Sequence, residues 1–61
     1  MTDEDIVVAM ETFGGSFVQA LAHAFRCADF TNQARLRTAF ADVWEKYREL
    51  AKAAAARRQG A

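Results

Sequence analysis

The chemistry-bearing residues are few. His23 and Cys27 lie four apart in "HAFRC", which puts an imidazole and a thiol on one helical face. Such a pair could ligate a metal or act as base and nucleophile. Zinc needs three or four ligands, and the chain has no other histidine or cysteine. A dimer would supply four only with the pair on its two-fold axis. A nucleophilic thiol also needs a third group to orient its base, and none is in view. The expectation is no catalytic residue, no metal and no cofactor, with His23 partly buried and Cys27 packed as a small apolar group.

Gly14-Gly15-Ser16 could cradle an anion at a helix start. Phosphate loops of that kind follow a strand, and nothing before Gly14 reads as one. A structural corner is expected. Arg35, Arg37, Lys46, Arg48, Lys52, Arg57 and Arg58 could meet nucleic-acid phosphates. Asp42, Glu45 and Glu49 interrupt that run and dilute its field. Phe40, Trp44 and Tyr47 cluster on one side of a helical pattern. Tyr and Trp are enriched where interfaces concentrate their energy. These three are the expected partner contacts, with Arg57 and Arg58 as electrostatic helpers. The other reading of the three rings is a core against the preceding helices.

The elements that must position these groups are helical. Proline is absent, and glycine occurs only at 14, 15 and 60. A first helix is expected over 3–13, capped by Thr2, with Asp3, Glu4 and Asp5 in its first turn. Ile6, Val7, Met10 and Phe13 form its apolar face. Gly14 should end it in the left-handed conformation. A second helix is expected over 17–28, opened by a capping box between Ser16 and Gln19. The two make a short helical hairpin. A longer third helix should begin near 29–31. In it Leu36, Phe40, Val43, Tyr47, Leu50 and Ala54 are spaced 4, 3, 4, 3, 4, a seven-residue seam. Asp42–Lys46, Glu45–Arg48 and Glu49–Lys52 suit ion pairs on the opposite face, each worth roughly 0.2–0.5 kcal/mol. "DVWE" at 42–45 also reads as a helix start, so a kink or break near 39–42 is the alternative. Unbroken, this helix would reach about 40 Å, past anything the first two could cover.

Bulk properties bound the rest. With 61 residues the chain makes one small domain, 1–61, with a basic alanine-rich helix end at 51–61. Sixteen large apolar residues lie between Ile6 and Leu50. A domain of this size buries about ten, so the surplus points to a surface covered by a second copy or a partner. The other reading is a dense domain that packs all sixteen internally. The formal charge is zero, yet residues 1–30 carry −4 and residues 31–61 carry +4. That division suggests an acidic element laid against a basic one. The balance excludes a protein devoted to sequence-independent nucleic-acid binding. No stretch reaches 18 apolar residues. The acidic opening is unlike a secretory signal, and one cysteine allows no internal disulfide. A cytoplasmic setting is expected.

"FGGSFVQALA" at 13–22, Ala28-Asp29, Arg35-Leu36, Ala39-Phe40, Trp44 and Tyr47 together resemble a group of small proteins encoded by bacteriophages and prophages of proteobacteria. Relatives often carry proline where Phe30 and Ala41 stand here. Proline at 41 would start a fresh helix, so the resemblance favours the break. It implies a phage context in a host cell and assigns no activity and no functional residue. The sequence thus suggests an all-α hairpin plus third helix that self-associates and binds protein without catalysis. The sharpest version is an inhibitor of a host defence complex, of the anti-CRISPR kind. The alternatives are a nucleic-acid-binding or transcriptional adaptor protein and an accessory of virion structure or assembly.

Overall fold

The computed structural model describes residues 2–60, and side chains as far as Arg57. All regular structure among the described residues is helical: α1 (Asp3–Phe13), α2 (Ser16–Cys27), α3 (Phe30–Ala39) and α4 (Ala41–Gly60). α1 packs along both α2 and α4, and α3 bridges α2 to α4. The molecule measures 36 × 22 × 19 Å.

Thr2 caps α1 as its sequence predicts. Its hydroxyl accepts from the Asp5 amide at 3.3 Å, and the Asp5 carboxylate accepts from the Thr2 amide at 2.9 Å. Ile6, Val7, Ala9 and Met10 are buried. The expected apolar face thus gains Ala9 and loses Phe13, which ends the helix exposed at the corner.

The corner itself differs from expectation. Gly14 is extended, φ −79° and ψ 154°, not left-handed. Its amide donates to Met10 O at 3.0 Å. What position 14 requires is space: a Cβ there would lie 2.5 Å from both Met10 O and Val18 Cγ1. Gly15 faces open space and stands as the N-cap of α2, with no side-chain cap. Ser16 is already helical, so the expected capping box does not form. Gln19 instead donates from Nε2 to Gly14 O at 2.9 Å, tying down the corner's carbonyl.

Asp29 caps α3 through Oδ1, which accepts from the Asn32 amide at 2.8 Å. Gln33 Nε2 donates to Phe25 O at 3.2 Å, satisfying a carbonyl at the end of α2. Phe40 (φ −120°, ψ 42°) then breaks the chain's helical course. Its amide donates to Leu36 O at 3.0 Å, while its carbonyl accepts from the Trp44 amide at 2.9 Å. One residue therefore closes α3 and opens α4. The seven-residue seam does not survive this turn. α4 buries Tyr47 and Ala51 and leaves Leu50 exposed.

Eight residues form the core: Ile6, Val7, Ala9, Met10, Ala22, Phe25, Tyr47 and Ala51. Val18, Leu21, Leu36, Val43 and Trp44 pack around it. The two glycines should therefore respond oppositely to substitution. Gly14→Ala is expected to destabilise by about 1–3 kcal/mol through overpacking. Gly15→Asp should stabilise by roughly 0.5–1 kcal/mol, by capping α2 and stiffening the unfolded chain. Urea midpoints of the two variants against the parent check both.

Candidate functional site

The sequence-based candidates separate in space. His23 and Cys27 do share a face of α2, with Cys27 Sγ 3.6 Å from His23 Nε2. Both are exposed, against expectation, because they lie across the helix from Ala22 and Phe25, which face the core. No group of three or more histidine, cysteine or carboxylate side chains gathers around a common point among the described residues.

Two arginines tie the helices together, and one of them, Arg37, joins the −4 half to the +4 half; the other ion pairs among the described residues lie within one half. Arg26 on α2 binds two acids of α1 at once. Nε and Nη2 donate to Glu11 at 2.7 and 2.8 Å, and Nη1 and Nη2 donate to Glu4 at 3.1 and 3.0 Å. Glu4 and Glu11 are two turns apart on α1, so one guanidinium staples the hairpin along its length. These bonds hold the Glu11 carboxyl below its ordinary range and push Arg26 up. Arg37 on α3 donates to Asp3 at 3.1 Å and lies over the Phe25 ring. On α4, Glu45–Arg48 and Glu49–Lys52 pair as expected. Asp42–Lys46 does not; Lys46 sits over the Tyr47 ring instead. Arg35, Lys46 and Arg57 meet no carboxylate among the described residues.

The three expected contact rings occupy different environments. Tyr47 is a core residue, 5% exposed. Trp44 is half-buried and lies against Phe25 with centroids 5.0 Å apart. Phe40 is half-buried and meets Phe17 edge-on at 5.9 Å. Arg57 is exposed, and the side chain of Arg58 lies outside the described residues. A crevice lined by Met10, Leu21, Phe25, Leu36, Phe40, Val43 and Trp44 holds only about 10 Å³. That is the size of one water, so these rings enclose no ligand site.

The surface carries other rings that the sequence reading placed elsewhere or passed over. Phe13 and Phe17, on either side of the glycine corner, are 57% and 59% exposed, and Phe30 is 82% exposed. Val8 and Leu50 add to them. Of the sixteen large apolar residues, five are buried, six half-buried and five exposed. The surplus inferred from composition is real, but it resides mostly in phenylalanines of α1, α2 and α3. One signal could have found two of them. Phe13 and Phe30 stand at helix ends, where an apolar side chain has the least of its own domain around it.

No protein-family model, curated protein or solved structure matches the chain.

Two outcomes follow from this geometry. Trp44→Ala should cost about 2–4 kcal/mol, because it removes the ring that covers Phe25. That is a large share of the roughly 3–9 kcal/mol expected for a chain this short, and a thermal melt would show it. Separately, the depressed Glu11 pKa contributes stability that is present above the unfolded carboxylate range. It is lost as pH falls below about 4 and through the folded value. Arg26→Gln should lower the melting temperature at pH 7 and flatten its decline between pH 5 and pH 2.5. Melts across that range, parent against variant, read both effects.

Proposed function

We propose that this chain is a non-catalytic protein-binding module whose contact surface is built on its exposed phenylalanines. The observation that carries this reading is the outward placement of Phe13, Phe17 and Phe30 on a domain whose core is already filled. Phenylalanine is among the residues most often found inside. Three of the chain's five lie more than half outside. Large exposed apolar groups on a small domain mark surfaces that something else covers. Phe40 and Trp44 would add their outer edges to contacts, and Arg57 a charge at the far end of α4.

Four of the eight basic residues, Arg26, Arg37, Arg48 and Lys52, are committed to carboxylates within the chain, which weakens the case for a nucleic-acid partner. In the phage setting that the resemblance implies, the mode of action we propose is occlusion of a surface on a host complex, of the anti-CRISPR kind. The crevice beside Trp44 holds only about 10 Å³, too little for a substrate, and such a domain acts by covering a site more readily than by chemistry.

Affinity capture from host lysate tests the reading. The tagged parent should retain a defined protein that Phe13→Ser and Phe30→Ser variants lose, with helical circular dichroism unchanged in both. Equal recovery by parent and variants, or recovery of nucleic acid with steep salt dependence, would sink it.

A further inference from the structure

The outward face of α3 combines an exposed ring, small residues and an arginine that meets no carboxylate among the described residues. Phe30, Thr31, Ala34, Arg35, Thr38 and Ala39 line a shallow open trough along it. Five of the six are small, polar or aromatic and carry no charge. Arg35 is the exception, and it stands at the middle of the trough. Its own chain offers it little: Nη1 reaches Asn32 Oδ1 at 3.5 Å, and no carboxylate meets it among the described residues. The neighbouring acid Asp29 accepts from the Asn32 amide as the α3 cap, and the other arginine of α3, Arg37, is held by Asp3. Arg35 thus presents its planar fork of donors to solvent. At one end of the trough Phe30 leaves most of its ring uncovered.

We propose that this face docks a short segment of a partner protein that carries a carboxylate flanked by apolar side chains. The carboxylate would take the Arg35 guanidinium in a forked pair. An apolar neighbour would lie on Phe30, and the small residues Ala34, Thr38 and Ala39 would let the partner's backbone come close. This rests on the protein-binding reading above and assigns it a place and a partner chemistry.

A second copy of the chain fits the face poorly, for two reasons. α3 has ten residues and is about 15 Å long. Its outer face falls well short of the roughly 800 Å² that each side of a stable complex buries. A two-fold axis through the middle of the trough would also set two Arg35 guanidinium groups against each other. A single short segment needs no such area and brings the missing charge.

The test is a selection of displayed random peptides, about a dozen residues long, against the full chain. Enriched peptides should share an aspartate or glutamate beside apolar residues. They should bind about tenfold or more weakly to Phe30→Ser and to Arg35→Ala. Arg35→Glu, put through the same selection, should enrich lysine or arginine in place of the acid. Phe30 and Arg35 are exposed, so helical circular dichroism should be unaltered in all three variants. Enriched peptides without the acid, or equal binding to parent and α3 variants, would overturn the proposal. So would a dimer in light scattering that Phe30→Ser dissociates, or single-stranded oligonucleotide binding that Arg35→Ala abolishes. Peptides displaced only by Phe13→Ser would overturn the α3 assignment and leave the wider protein-binding reading intact.

Discussion

Everything in this molecule leans on the inner face of α1. Val7 and Met10 are almost wholly enclosed, and Ile6 and Ala9 nearly so. α1 is the one helix that packs lengthwise against two others, α2 on one side and α4 on the other. A chain this short cannot build a deep interior. It compensates by burying one helix on two sides. Two constraints keep α1 in place. At its C-terminal end, the missing side chain of Gly14 lets Val18 come down onto the Met10 turn. Along its flank, Arg26 holds Glu4 and Glu11. The first fixes how near α2 comes, and the second fixes its position along the axis.

The division of labour among side chains follows from that arrangement. All four acids of α1 serve the chain itself, Asp5 in the cap and Asp3, Glu4 and Glu11 in ion pairs with arginines of α2 and α3. Only Arg37–Asp3, among the ion pairs of the described residues, joins the acidic half of the sequence to the basic one, so little of the charge asymmetry is met by direct pairing. The apolar excess also stays outside the core. The core takes aliphatic and aromatic groups from the middles of the helices, and rings at helix ends and on the outer flanks stay in water.

Much of the architecture could be read from residue types and spacing. The first two helices, the Thr2 cap and the hairpin follow from local rules, because caps and apolar periodicity are local. The same rules favour one longer third helix, and the break near residue 40 is the alternative that the structure takes. The errors share a cause. Local rules give Gly14 a backbone role, but its requirement is the close approach of Val18, which only the packed hairpin reveals. Ser16 and Gln19 fit a capping pattern, yet Gln19 finds the Gly14 carbonyl because the tight corner leaves it within reach. The seam from Leu36 to Ala54 presumes a straight helix. Once Phe40 turns, Ala51 and not Leu50 faces inward. Phe40, Trp44 and Tyr47 cluster in sequence, but the fold gives each a different neighbour. Which rings are left outside depends on the relative rotation of four helices, and no single helix's pattern encodes that.

The shared residue between α3 and α4 has a consequence for how this sequence can vary. Phe40 sets the rotational phase of twenty following residues with no loop to absorb an error. Each helical residue turns the chain by about 100°. An insertion or deletion between Ala39 and Ala41 would swing Tyr47 toward solvent and bring a charged neighbour toward the core. Length change there is barred in a way that it is not at the ends of the chain. Descendants of this protein should differ by exchange of residues at that junction and hardly ever by their number.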